Sequence, residues 1–477
     1  MRLTDQQKHF FFNGLNGSTG DYGLSLDFGE LARAIAGAKG PQLDIPLDKD
    51  GQPTRATAEG VDGTNLAQAG WGIIFPADDP QTAALKEALG PLLALRREQA
   101  GPHFRLFEGA DGYRPGESKV DFLARHRVGA GPVDPARGVP YYLLLAGCPA
   151  QIPFHFQYQL DVQFAVGRLC FERLADYEHY ARSVVAAEQN QVSRPRRLTF
   201  FGATNPDDRA TDLSTRHLIQ PLYTNLKANQ GVAESNLPAW EVNLVQGEAA
   251  THARLEALLG GEETPALLFT AGHGMEFLAD DTRQVPHQGA LLCQDWPGPV
   301  DWRRPIPEAF YFAGDHIGQV AHVGGLISFH FACYGAGTPT NDDFRQQPFQ
   351  QQRTIAAQPF VARLPQALLS HPNGGALAVV GHVERAWGYS FFWPGAGEQT
   401  AVFESALLRL LKGAPVGWAL EYFNQRYGEL AADLTSYLDR HTLEAATAPA
   451  ELVGLWTANN DARNYVIIGD PAGRLRQ

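Results

Sequence analysis

Apolar runs of strand length recur along this chain and alternate with stretches of helical period. Trp71–Phe75 and Tyr141–Ala146 read as buried strands, while leucines and alanines over Thr82–Gln99 fall at helical spacing, with Glu87 and the Arg96–Arg97 pair outward. Ser118–Arg127 and Leu174–Gln189 read as further helices. Phe154–Leu160, where aromatic and polar residues alternate, reads as a half-buried strand. A second unit opens near Arg196 with strand Leu198–Phe201, turn Asn205–Asp208, helix Leu213–Lys227 and strand Trp240–Val245. Thr251 is a candidate N-cap for the helix that follows. Beyond it come a hairpin around Gln288–Asp295, helices around Phe310–Val320 and Phe360–Ser370, and strand Ala376–Val380. Helices Ala401–Lys412 and Val416–Ala432 lead to a last strand, Tyr465–Ile468. Such alternation predicts an α/β fold, a three-layer parallel-sheet domain preceded by a smaller α/β unit. The boundaries are a polar, glycine-rich region over 1–65, the smaller unit with its linking helix over 66–192, and the main domain over 193–477.

Two strands stand out because each ends in glycines. Pro265–Met275 delivers His273 followed by Gly274, and Gly325–Gly337 delivers Cys333 followed by Tyr334 and Gly335. In open parallel sheets ligands bind beyond the carboxyl ends of the strands, so a histidine and a thiol are expected side by side at one mouth. An imidazole can activate a thiol that is otherwise a poor nucleophile. A backbone amide approaches a carbonyl oxygen closely only where no side chain blocks it, so the amides of Gly274 and Cys333 are candidates for an oxyanion hole.

The tetrad Ala332-Cys333-Tyr334-Gly335, with a His-Gly pair upstream, resembles the caspase-hemoglobinase fold of cysteine peptidases. Tyr141–Pro153 followed by Asp161–Leu169 resembles the gingipain family, with Cys148 as a departure from its usual pattern. Tyr465–Leu475 resembles both the gingipains and the bacterial CHAT peptidases. The resemblance implies a three-layer caspase-like domain preceded by a non-catalytic pseudo-caspase subdomain. It also implies a cysteine endopeptidase that uses Cys333 and His273 on a protein or peptide substrate, with no cofactor. CHAT-like proteins often act in bacterial defence, switched on by a protein partner. In such a fold the loops after the first and fifth strands wall the specificity pocket. Asp207 or Asp208 at its base and Trp387 as an apolar wall would favour cleavage after Arg or Lys, with Phe331 standing where caspases carry Gln. Equally, the two aspartates can serve only to cap the next helix. The rival readings are a pseudoprotease kept for interaction and a thiol amidase acting on a small molecule.

Composition narrows the classes. Hydrophobic residues make up 44% and charged residues 19%, the balance of a globular chain rather than a disordered one. The net charge of −13 disfavours nucleic acid and anionic membrane as partners, and no apolar run is long enough to span a bilayer. The four cysteines, 148, 170, 293 and 333, form no Cys-x-x-Cys pair. They are expected to be reduced, with Cys148, Cys170 and Cys293 in packing roles, in a cytoplasmic protein. No histidine spacing supports a metal site; His287, His316, His322, His330 and His382 crowd the region, with His330 expected on the face opposite Cys333. Asn13–Gly23 lacks the Gly-Lys-Ser/Thr of a phosphate loop and reads as surface turns. Phe28–Ala36 reads as a short helix.

Overall fold

The computed structural model describes residues 12–23, 31, 35, 57–229, 240–261, 263–344, 353–393, 395–441 and 449–476. The Phe28–Ala36 helix expected from sequence lies largely outside them. In chain order the strands are β1 (Gly14–Asn16), β2 (Trp71–Ile74), β3 (Phe104–Phe107), β4 (Tyr142–Ala146), β5 (Ala165–Leu169), β6 (Arg197–Gly202), β7 (Glu241–Gln246), β8 (Leu267–Ala271) and β9 (Gly274–Glu276). They continue as β10 (Leu291–Leu292), β11 (Tyr311–Phe312), β12 (Ile327–Phe331), β13 (Gly337–Thr338), β14 (Phe360–Val361), β15 (Ala378–His382), β16 (Phe392–Trp393), β17 (Gly397–Glu398) and β18 (Tyr465–Gly469).

One ten-stranded sheet runs β3-β2-β4-β5-β18-β15-β12-β8-β6-β7. The class is the expected one, α/β with a mostly parallel sheet. Every residue of β2, β4, β5, β8, β12, β15 and β18 is buried, as strands covered on both faces must be. Every neighbouring pair is parallel except β15 and β18, where Ala378 lies opposite Gly469 and His382 opposite Tyr465. The carboxyl ends of β2, β4 and β5 therefore point to one edge of the sheet, and those of β6, β8, β12 and β15 to the other. Strand order reverses at β6: the chain steps outward to β7, then returns across β6 to β8. A crevice forms at such a switch point. A small sheet, β1-β9-β10-β11, lies against this mouth, with the N-terminal β1 parallel to β9.

Several local expectations are corrected. Phe154–Asp161 is a helix, and both its aromatic residues and its polar residues Gln157 and Asp161 are buried. Gln157 Oε1 accepts from Arg168 Nε of β5 at 2.9 Å. With only His155 exposed and Gln159 half-buried, the helix has too narrow a polar face for a clear amphipathic period, and its alternating aromatics imitate a strand. The helix expected over 310–320 is instead β11 and a short 3-10 turn, Gly314–His316. The segment 288–295 contributes β10, which pairs with both β9 and β11. Thr82–Gln99 is two helices, Thr82–Ala88 and Gly90–Ala100.

Cys148 and Cys170 are not free core thiols. They form a disulfide with Cα atoms 4.8 Å apart, while Cys293 and Cys333 are free and buried. Ala146 of β4 pairs with Leu169 of β5, so each cysteine follows just beyond its strand and the parallel register brings the two together. Disulfides are rare in reducing cytosol, which removes the basis for expecting a cytoplasmic protein. No helix among the described residues is long and apolar enough to cross a membrane.

Candidate active site

Register places the two principal side chains. Phe331 of β12 pairs with Ala271 of β8, so Cys333 and His273 each lie two residues past a matched pair, on strands about 4.8 Å apart. Gly272 N–H donates to Phe331 O at 3.2 Å and holds the chains together past the strand ends. Gly274 must be glycine, because a Cβ there would meet the Cys333 carbonyl oxygen at 1.9 Å. The turn after β12 carries Tyr334 at φ 58°, a left-handed conformation unusual for a bulky residue. Its N–H is secured by Glu384 O at 2.6 Å.

His273 has a partner that sequence assigned elsewhere. Its Nε2 lies 2.8 Å from Asp208 Oδ2, and both side chains are fully buried. Asp208 caps the helix Arg209–Ser214, accepting from Thr211 N at 3.2 Å and from Thr211 Oγ1 at 2.5 Å. Tyr22 donates to its other oxygen at 2.5 Å. Burial opposes ionisation of this carboxyl, but His273 and the hydrogen bonds from His273, Thr211 and Tyr22 prevail and hold it well below the usual carboxylate range. With Nε2–H directed to Asp208, Nδ1 is the ring nitrogen left to accept a proton; it is buried without a hydrogen bond.

The two candidate oxyanion amides converge on one oxygen, that of Asn13. Gly274 N–H donates to Asn13 O at 2.8 Å and Cys333 N–H at 3.0 Å. Of the stretch expected as surface turns, residues 17–20 are a turn and Thr19, Asp21 and Tyr22 are exposed, but residues 13–16 are not surface turns. Phe12–Asn16 run through the mouth, and Cys333 and His273 beneath them are fully buried rather than set in an open crevice. Burial pushes the Cys333 thiol well above its ordinary range, with a hydrogen bond from the Ala386 amide and the nearby Arg385 only partly opposing that.

Among the expected pocket residues, Asp207 is exposed and sits at φ 54°. Asp208 is committed to His273, Thr211 and Tyr22. Neither offers a free carboxylate at the base of a pocket, so the expected preference for Arg or Lys loses its physical ground. Phe331 is fully buried and packs into the core against His382 and Phe391, with ring centroids 5.4 Å away in each case. Trp387 does meet the bound segment: its ring lies 5.3 Å from that of Phe12, and the two residues form an antiparallel bridge. His330 bonds Ser328 Oγ from within the sheet at 2.8 Å.

No protein-family model matches the chain, and no curated protein matches it in sequence. Among solved structures, a protease is similar at 14% identity and a TM-score of 0.47, over 86% of this chain and 80% of that one. The complex of Porphyromonas gingivalis RgpB pro- and mature domains is similar at 11% identity and a TM-score of 0.41, over 85% and 80%. The Saccharomyces cerevisiae separase–securin complex is similar at 10% and 0.28, over 73% of this chain but only 17% of that one. These are distant likenesses, so the chemistry of the site has to be derived from its own geometry.

Sequence reading missed two participants. Asp208 as the partner of His273 was open to discovery: it lies on the loop after β6, and β6 neighbours β8 at the switch point. Asn13 was not, because nothing in a glycine-rich stretch far from His273 and Cys333 says that it lies across them.

Proposed function

We propose that the protein is a cysteine endopeptidase in which Cys333 is the nucleophile, His273 the general acid and base, and Asp208 the residue that orients His273. The observation that carries this reading is the Asn13 carbonyl, a peptide carbonyl held by the Gly274 and Cys333 amides at 2.8 and 3.0 Å beside a thiol. Two amides converging on one carbonyl oxygen are the donor set that stabilises the oxyanion of acyl transfer. His273 Nδ1 takes the thiol proton as sulfur attacks the carbonyl carbon. The same nitrogen protonates the departing amine, then draws a proton from the water that hydrolyses the thioester. Asp208 fixes the tautomer and stabilises the imidazolium.

An endopeptidase rather than an amidase for small molecules is favoured by the length of chain that the mouth accommodates. Chain continues on both sides of the held carbonyl, with Phe12 bridged to Trp387 on one side and Gly14–Asn16 paired with β9 on the other. The test is hydrolysis of a peptide library by the purified protein. Cys333→Ala is expected to reduce it to background while melting within a few degrees of wild type, and His273→Ala to reduce it to background with a lower melting temperature, because the buried Asp208 carboxylate loses its partner. Cleavage by Cys333→Ala at the wild-type rate rules the reading out.

A further inference from the structure

We infer that residues 12–16 are the enzyme's own first substrate, that the bond it cuts in them is Asn13–Gly14, and that its pocket selects asparagine before the scissile bond. This rests on the peptidase reading above and specifies its substrate class. The segment is seated as a substrate, not merely nearby. Asn13 N–H donates to Ala386 O at 2.9 Å, and Asn13 O receives both oxyanion amides. On the leaving side, Gly14 lies so close to the nucleophile that a Cβ on it would stand 2.9 Å from Cys333 Sγ. The next residues are pinned by pairing of Gly14, Leu15 and Asn16 with Gly274, Met275 and Glu276. Tyr22, further along the same segment, bonds Asp208 and sets its ring 5.8 Å from that of His273.

The Asn13 side chain identifies the pocket. It is 2% exposed, and its Nδ2 donates to Gly272 O at 3.2 Å and lies 3.4 Å from Ser214 Oγ. Ser214 gives its own proton to Thr211 O at 3.2 Å, so its oxygen faces Asn13 as an acceptor. Two acceptors suit an amide NH₂. They repel the carboxylate of aspartate and leave an apolar side chain with no donor to offer. The pocket thus separates asparagine from its near-isostere aspartate by hydrogen bonding and charge, not by size.

Cleavage proceeds by the steps already given. The Cys333 sulfur bonds to the Asn13 carbonyl carbon and the thiol proton passes to His273. The Asn13–Gly14 bond breaks, and Gly14 leaves as an amine with that proton. Water then splits the thioester, restoring the thiol and giving Asn13 a carboxylate. The chain then begins at Gly14, and the residue in the pocket is free to exchange for substrate.

The experiment is intact-mass and N-terminal analysis of the full-length protein over time. Alongside it, hydrolysis is measured for three synthetic peptides covering residues 10–18, carrying Asn, Asp or Arg at position 13. Wild type is expected to acquire an N-terminus at Gly14, Cys333→Ala to remain intact, and Asn13→Asp to be processed at least about a hundredfold more slowly. The Asn peptide should be cut at the same bond at least about a hundredfold faster than the Asp or Arg peptide. The inference is overturned if wild type keeps its Asn13–Gly14 bond while a Cys333-dependent activity cuts other peptides. It is equally overturned if the Arg peptide is cut as fast as the Asn peptide. In either case the peptidase reading survives. If no peptide is cut at all and no Gly14 terminus forms, both fall.

Discussion

Two pairs of adjacent parallel strands in one sheet deliver sulfur just past their carboxyl ends, and they use it in opposite ways. Strands β4 and β5, matched at Ala146 and Leu169, bring Cys148 and Cys170 into a disulfide. Strands β8 and β12, matched at Ala271 and Phe331, set His273 and Cys333 at matching positions past their ends, with His273 bonded to the buried Asp208. The backbone device is the same in both, and the antiparallel β15–β18 pair sets the two mouths on opposite edges of the sheet. Only the neighbour differs. A thiol that meets a thiol becomes a cross-link; the Cys333 thiol, one strand over from an imidazole backed by a carboxylate, stays free for the chemistry proposed above. The cysteine at a strand end is uninformative until the register names its partner.

The largest separation of the two pairs comes from removing each sulfur in turn. Cys333→Ala is expected to abolish peptide hydrolysis with little change in melting temperature. Cys148→Ala should leave the rate unchanged in the folded protein and cost about 2–4 kcal/mol of stability in urea titration. The next effect concerns what stands behind the histidine. Asp208→Asn keeps the shape but cannot hold the imidazole tautomer or balance its charge, so kcat should fall by up to about 10⁴-fold. A reductant such as dithiothreitol gives a smaller contrast, lowering the melting temperature while hydrolysis at 25 °C persists.

The smallest effect is a pH dependence of stability. Burial depresses the His330 imidazole to about 3 in the folded state, against about 6.5 when unfolded. The unfolded chain therefore binds the proton first. The stability tied to keeping His330 neutral is complete above about pH 6.5 and falls as pH drops toward 3. Replacing His330 by Phe should flatten that slope in denaturant titrations between pH 6 and 4. The Asp208 carboxyl works in the same direction at lower pH. Its folded-state value is depressed, so its contribution is in place above about pH 4 and lost only in strong acid.

Much of this was legible in the sequence, for physical reasons. Long apolar runs ending in glycine have few alternatives to buried parallel strands, so β8 and β12, with His273 and Cys333 at their ends, followed from local pattern. The same locality hid the rest. Residues 154–161 imitate a strand because burial of all but His155 and Gln159 blurs their helical period. The loop carrying Asp208 is recognisable, and the helix cap that is one of its two readings is what Asp208 forms, but its partner across the β6–β8 gap leaves no local signal. The Cys148–Cys170 disulfide depends on register between two strands, and the seating of Asn13 depends on a contact between residues 13 and 333. Neither leaves a periodic trace along the chain.

The most direct measurement is the rate at which purified protein hydrolyses the residue 10–18 peptide at pH 7, compared between wild type and Cys333→Ala at equal concentration. Hydrolysis between Asn13 and Gly14 by wild type, with none above background for Cys333→Ala, is the expected result. Equal rates in the two proteins would contradict a catalytic thiol at the end of β12.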